Sequence, residues 1–88
     1  MMIYKIGTTE CVCEILQEHL GSSVTFSPES YLFNDLGMDS LELVEFGLKL
    51  EKAFSRKIPT ADIRNCARVK DVLQLVQRIV AQKETKSA

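Results

Sequence analysis

Apolar residues recur at helical spacing in separate segments of the chain, and polar stretches divide these segments. The clearest segment begins at Val69 and keeps one face apolar over several turns. An earlier one, Thr9 to Leu20, has a threonine able to cap its start and Gly21 suited to its exit. We therefore predict a helix in each segment. The apolar positions that carry the two predictions are Val12, Ile15, Leu16 and Leu20, and then Val69, Val72, Leu73, Val76, Ile79 and Val80.

Two further helices are expected between these segments. Residues 40–54 predict a long helix, and Pro59 can begin a short one through about Asn65 because the first turn does not need its N–H. Residues 21–39 form a long loop that can be held by its own apolar side chains. The expected fold is all-α, a small four-helix bundle of three main helices and one short helix. The positions expected to point inward from the long helix are Leu41, Val44, Leu48 and Phe54.

Size and charge narrow the class of protein. A chain of 88 residues makes one domain and buries only about 60 to 65% of its unfolded surface, which leaves little room for an enclosed active site. We therefore expect a domain that presents something on its surface, and not an enzyme. The net charge of −1 disfavours nucleic-acid binding. No segment approaches the roughly 18 apolar residues of a membrane span, so we expect a cytoplasmic protein without stable membrane insertion.

The residues that could hold a metal or form a disulfide are few. Cys11, Cys13 and Cys66 are odd in number and lack Cys-x-x-Cys spacing, which favours reduced and partly buried thiols. His19 is the only histidine and has no ligand or nucleophile nearby in sequence, so we expect a structural role for it. The sequence therefore predicts no metal site.

The candidate functional residue is Ser40, where a loop containing Gly37 turns into the long helix. Asp39 and Glu42 have capping-box spacing, which makes Asp39 the expected N-cap and leaves the hydroxyl of Ser40 free and pointing outward. Leu36 and Leu41, on either side, are expected to anchor the junction in the core. A helix N-terminus stabilises an attached anionic group, so a phosphate ester on Ser40 would be favourable.

These residues resemble a known family, the acyl carrier proteins, through the string Asp39-Ser40-Leu41. Upstream, Phe33-Asn34-Asp35-Leu36-Gly37 looks like the family's approach to its modified serine. Downstream, Phe54 and then Ile58-Pro59 resemble the end of the family's second helix and the start of its third. This ordered set is much more specific than the three-residue string alone.

The resemblance covers roughly residues 8–82 and implies a division of the chain. Residues 1–7 would be an N-terminal extension, 8–82 the carrier domain and 83–88 a flexible tail. It also implies that a phosphopantetheinyl transferase moves 4'-phosphopantetheine from coenzyme A onto Ser40. The arm would then carry acyl groups as thioesters to acyl-loading, synthase or acyltransferase enzymes of fatty-acid, polyketide or another specialised lipid biosynthesis. The protein itself would act as a monomer and catalyse nothing.

In the family, an acidic second helix docks on basic patches of partner enzymes. The residues here that match this acidic set are Asp35, Asp39, Glu42, Glu45 and Glu51. Leu43 is expected to add an exposed apolar anchor, whereas Phe46 is expected in the core. The chain departs from the family in its basic residues, which are Lys49, Lys52, Arg56, Lys57 and Arg64. They indicate either dedicated partners or ordinary i,i+4 ion pairs such as Glu45 with Lys49.

Two alternatives stay open on sequence alone. Carriers of aminoacyl or peptidyl groups share the fold and the arm, but they usually show a Gly-Gly-x-Ser type context, and Gly37-Met38-Asp39-Ser40 looks more like the acyl type. An unmodified helical interaction domain would use Asp39 and Ser40 only to start a helix. A cleft for the acyl chain could also open between the second and third helices, with Gly47 as a mild indication of space. The walls of such a cleft would be Val44, Leu48, Ile58, Ile63 and Cys66.

Overall fold

Four α-helices form the regular structure of the computed structural model, which describes residues 7–81. They are α1 (Thr8–Leu20), α2 (Ser40–Phe54), α3 (Thr60–Arg64) and α4 (Val69–Ala81). The predicted all-α fold is confirmed: the described residues contain no strand, only an isolated bridge between Tyr31 and Arg68. α1 begins one residue earlier than predicted. Pro59 stands immediately before α3 as its N-cap and not in its first turn. The predicted extension, except for Gly7, and the predicted tail lie outside the described residues.

The core is built between the helices and under the long loop. α1 packs against α2 and α4, and α3 packs against the same two helices. Every residue of the core is apolar, and no polar or charged residue of the described chain is buried. This core therefore provides a rigid mount for whatever the surface presents. Its buried residues are Val12, Leu16, Leu32, Met38, Leu43, Phe46, Leu50, Ile58, Ile63, Cys66, Val69, Val72, Leu73, Leu75 and Val76.

The face of α2 that points inward differs from the prediction. The buried residues are Leu43, Phe46, Gly47 and Leu50. Leu41 and Leu48, which were expected inside, are 66% and 56% exposed. The physical reason is charge: Glu45 and Lys52 share the face of Leu41 and Leu48, since all four lie three or four residues apart. Burying that face would remove a carboxylate and an ammonium group from water, whereas the opposite face carries no charge.

Gly47 lies where α2 crosses α3, but the structure does not require a glycine there. Its backbone is helical, and a Cβ atom added to it would lie 3.5 Å from Cγ2 of Ile63, an ordinary packing distance. Gly47 therefore gives no sign of a cleft. The two helices already meet closely at this point.

Replacing Gly47 with alanine should raise the free energy of unfolding by up to about 1 kcal/mol. Alanine favours the helix by about that amount over glycine, and its methyl group would fill contact space beside Ile63. Urea unfolding followed by circular dichroism would measure the change. Gly37→Ala is the matched control and should be destabilising, because Gly37 has a φ of 70°. A loss of stability in Gly47→Ala would mean that α2 and α3 cannot accommodate the methyl group.

The long loop is fastened to the start of α4. Loop carbonyls accept the first backbone N–H groups of that helix, from Val69 to Ser30 at 3.0 Å and from Lys70 to Pro28 at 2.9 Å. These bonds satisfy donors that a helix start leaves unpaired. Leu32, one of the apolar side chains of the loop, is fully buried, and its N–H donates to the carbonyl of Ala67. The loop is thus fixed at a point only a few residues before Ser40.

Side chains add a second attachment between the loop and α4. The guanidinium of Arg68 lies 4.5 Å from the centre of the Tyr31 ring, and its Nη1 donates to the Glu29 carboxylate at 2.7 Å. The Asp71 carboxylate accepts the N–H groups of Arg68 and Ala67. These two hydrogen bonds, with that of Arg68 the larger cause, hold the pKa of Asp71 below its ordinary value.

The cysteines and the histidine lie in packed surroundings. All three cysteines are free thiols, and burial, followed by the charges of Asp71 and Asp62, raises the pKa of Cys66 to about 11. His19 packs near Phe46, with 6.1 Å between ring centres. Within residues 7–81, no group of three His, Cys, Asp or Glu side chains could hold a metal ion. No described helix has both the length and the apolar character needed to cross a membrane.

Candidate functional site

Ser40 is exposed and is the first residue of α2. Asp39 precedes it in extended conformation, and its carboxylate Oδ1 accepts the N–H of Glu42 at 2.9 Å. The predicted N-cap is therefore confirmed. Because Asp39 caps the helix, the hydroxyl of Ser40 is not needed for that purpose.

The start of α2 also offers backbone donors beside this hydroxyl. The N–H of Glu42 is used by the Asp39 carboxylate, and that of Leu43 donates to the Asp39 carbonyl at 2.9 Å. The N–H groups of Ser40 and Leu41 have no hydrogen-bond acceptor in the described part of the chain. With the positive end of the helix dipole, they favour a negative charge on Ser40 by about 0.3 to 1 kcal/mol at an exposed position.

The loop before α2 is a closed turn. Gly37 adopts a positive φ of 70°, which other residues rarely adopt, and its N–H donates to the carbonyl of Phe33 at 3.0 Å. The Asp35 carboxylate accepts the N–H of Tyr31 at 2.7 Å, so Asp35 helps to hold this turn. Met38 is buried and anchors the junction. Sequence reasoning missed Met38 and assigned its role to Leu36 and Leu41. Leu36 is partly buried against the core, whereas Leu41 is mostly exposed and cannot fill the role.

One of the predicted docking residues needs correction, and another also has a structural contact. Leu43 was expected to be an exposed apolar anchor, but it is fully buried because it lies on the face of α2 that contacts the core. Glu51 is only partly exposed, and its Oε2 accepts the N–H of Ile58 at 2.7 Å, so it helps to hold the chain between α2 and α3. Glu42 and Glu45 are exposed, as a docking role requires.

The exposed apolar residues of α2 are Leu41 and Leu48 instead. They are seven residues apart, which places them on one side of the helix. Leu41 directly follows Ser40, so an apolar side chain stands beside the hydroxyl. The surface around Ser40 therefore combines exposed Leu41 with the carboxylates of Glu42 and Glu45, and Leu48 lies two turns further along the helix.

The predicted i,i+4 pair between Glu45 and Lys49 is not among the ion pairs of residues 7–81. The Nζ atom of Lys49 lies 3.0 Å from Nδ1 of His19 on α1 instead. The lysines of α2 are thus not explained as partners of its own glutamates.

A small helical bundle with an exposed serine on a capped helix start defines a domain that presents an alcohol on its surface. Residues 9–76 match a family profile described as "Phosphopantetheine attachment site". The chain is 34% identical over 68 residues to an acyl carrier protein of Syntrophobacter fumaroxidans, covering 76% of this chain and 84% of that protein. It therefore belongs to the acyl carrier protein family, whose members carry covalently attached 4'-phosphopantetheine.

A plant relative extends the comparison over more of the chain. Acyl carrier protein 2, chloroplastic, of Hordeum vulgare is 36% identical over 79 residues, which are 89% of this chain and 61% of that protein. The chain thus spans about three fifths of the plant relative. The arrangement at Ser40 fits the family's group, because a phosphodiester there would meet free backbone donors and open solvent and would displace no packed side chain.

Proposed function

We propose that this protein is an acyl carrier, that residues 8–82 form its carrier domain, and that Ser40 is the residue that receives 4'-phosphopantetheine from coenzyme A. The observation that carries the proposal is that the helix cap and the exposed hydroxyl at the start of α2 belong to two different residues. Asp39 caps the helix through Glu42, so the exposed hydroxyl of Ser40 stays available on a rigid mount. The names of the relatives favour acyl groups over aminoacyl or peptidyl groups as the cargo.

Each residue at the junction has a separate task in this function. The phosphopantetheine arm, when attached, supplies a thiol that holds the acyl group as a thioester. The N–H groups of Ser40 and Leu41 stabilise the negative charge where the arm joins the protein. Gly37 and Met38 fix the turn that leads into α2, so the attachment point does not move with the loop. Attachment to one domain raises the effective concentration of the cargo at whichever enzyme docks.

The partners proposed are a phosphopantetheinyl transferase and the acyl-loading, synthase or acyltransferase enzymes of a lipid-like pathway. They would dock on the exposed face of α2 beside Ser40, where Leu41 supplies apolar contact and Glu42 and Glu45 supply charge. In this proposal the protein positions cargo for these enzymes and catalyses no step itself. We place it in the cytoplasm, where coenzyme A is available as donor of the arm.

The test is to incubate the purified chain with coenzyme A and a broad-specificity phosphopantetheinyl transferase, and then to record its intact mass. The wild-type chain should gain one arm, whereas Ser40→Ala should gain none. Ser23→Ala is the matched control, because Ser23 is also exposed and should not affect loading. An arm on Ser40→Ala would place the attachment elsewhere. A wild-type chain that gains no arm would contradict the carrier function.

A further inference from the structure

A basic depression lies at the far end of α2 from Ser40. It is an open surface hollow of about 610 Å³ formed by the second half of α2 and the residues that follow it. Its floor includes Leu48, which is more than half exposed. Four of its lining residues are basic and one is acidic. The lining consists of Leu48, Lys49, Glu51, Lys52, Ser55, Arg56 and Lys57.

Two of the four basic side chains of this depression have no partner in the described part of the chain. The side chains of Lys52 and Lys57 form no hydrogen bond or ion pair with any residue between 7 and 81. Lys49 contacts the ring of His19, which is not an anion in its ordinary states. The acidic residue, Glu51, already uses one carboxylate oxygen to bind the N–H of Ile58. Two free ammonium groups therefore border an exposed leucine.

Stabilisation of the helix end does not account for this arrangement. A lysine in the last turn, such as Lys52, interacts favourably with the negative end of the helix dipole. Lys57 lies beyond the end of the helix, however, so the helix dipole does not account for its position. An exposed leucine and two unpaired ammonium groups in one hollow offer a partner both an apolar contact and a charge contact.

The two ends of α2 have opposite charge. Glu42 and Glu45 lie in the half that begins with Ser40, whereas Lys49 and Lys52 lie in the other half. Twelve residues separate Ser40 from Lys52, which corresponds to roughly 18 Å along a helix. A binding partner with charge of a single sign would be attracted at one end of α2 and repelled at the other.

We propose that the basic depression docks an acidic patch with a protruding apolar side chain on an enzyme that receives the cargo of Ser40. This proposal rests on the carrier function proposed above. The apolar side chain enters the hollow against Leu48, and carboxylates around it pair with Lys52 and Lys57. The same enzyme surface carries basic groups that pair with Glu42 and Glu45, roughly 10 to 15 Å away, beside the entrance that admits the arm. Two contacts of opposite sign fix the direction in which the carrier docks.

A protein partner fits this surface better than a membrane. An anionic lipid surface would attract the lysines, but the same exposed side of α2 would bring Glu45 against it, and like charges repel. A second copy of the chain has complementary charges but would cover the surface beside Ser40. The experiment distinguishes a membrane and a second copy of the chain from a protein partner.

The probe is a helical peptide, capped at both ends, that displays glutamates around a single leucine. It is titrated at low ionic strength into the ¹⁵N-labelled chain, and amide shifts are recorded. We expect shifts at Leu48, Lys52 and Lys57. The double variant Lys52→Glu/Lys57→Glu should weaken binding by about tenfold or more, because it reverses both free charges. The matched control is Arg64→Glu/Arg78→Glu, which changes the net charge equally at exposed sites outside the depression and should bind within about twofold of wild type.

Several results would overturn the proposal. Equal weakening in both double variants would show attraction to net charge alone, and shifts confined to other residues would exclude the depression. If the chain binds phosphatidylglycerol vesicles through Lys52 and Lys57 but does not bind the peptide, the depression is a membrane-binding surface and not a docking site for an enzyme. A dimer in sedimentation that the Lys52→Glu/Lys57→Glu variant dissolves would assign a second copy. Intact mass after loading is recorded for every variant: a chain that gains the arm but ignores the peptide overturns the docking proposal alone, whereas a wild-type chain without an arm overturns the carrier function.

Discussion

Leu43→Ala should lower the free energy of unfolding by about 2 to 5 kcal/mol, the cost of removing a fully buried leucine from a packed core. The side chain lies on the inward face of α2 with Phe46 and Leu50, so alanine would leave a cavity that the rigid bundle fills only in part. For a small domain this loss is a large share of the total stability. Urea unfolding followed by circular dichroism measures it.

Leu41→Ala is the matched control for this prediction. It makes the same change two residues earlier, at a side chain that is 66% exposed, and should alter stability by no more than about 0.5 kcal/mol. The pair therefore tests which face of α2 points inward. A greater loss in Leu41→Ala than in Leu43→Ala would contradict the structure and restore the face first predicted from spacing.

The end of α1 and the starts of α2 and α3 could be predicted to within a residue because local signals set them. Asp39 caps α2, Gly21 follows α1 with a positive φ, and Pro59 immediately precedes α3. Each signal acts within a few residues and is visible in the sequence. The inward face of α2 was not decided in this way, since α2 has leucines on both sides. The charges of Glu45 and Lys52 indicate which face of α2 is exposed. A prediction from the spacing of the leucines alone does not take these charges into account.

In the candidate site, too, the sequence predicted only those features that neighbouring residues determine. The exposed Ser40 and its cap at Asp39 follow from neighbouring residues, and the structure has both as expected. The error over Leu41 and Leu43 follows directly from the choice of the wrong face. The contact of Glu51 was not predicted for a different reason: its carboxylate accepts an N–H seven residues away, and this contact depends on how the chain turns after α2.

The contacts of the basic residues of α2 depend on the tertiary structure and could not be predicted from the sequence. On sequence alone, Lys49 had a ready partner four residues earlier in Glu45. Folding instead brings it to His19, thirty residues away on α1. Lys52 and Lys57 also form no ion pair in the described part of the chain. Glu42 and Glu45 therefore lie toward the start of α2 and Lys49 and Lys52 toward its end, and the two groups do not pair with each other.

Leu41→Ala should lower kcat/KM for transfer of the arm to Ser40 by about tenfold or more while leaving the fold intact. Leu41 is exposed next to Ser40, so a docked transferase would bury it near the centre of the interface, where truncation of a central residue costs about 2 kcal/mol or more. Since Leu41 would contact the transferase and not the reacting atoms, the loss should appear mainly as a higher KM. Initial rates with a phosphopantetheinyl transferase, followed by intact mass, give both constants.

Leu41→Met separates docking from a structural effect. Methionine keeps an apolar side chain of similar size, so loading should return to within about threefold of wild type. Stability should stay near the wild-type value in both variants, because position 41 is mostly exposed. If Leu41→Ala is loaded as fast as wild type, or if Leu41→Met is as slow as Leu41→Ala, apolar contact at this position does not guide the transferase. The acidic residues Glu42 and Glu45 would then be the contacts to test, since they remain exposed beside Ser40.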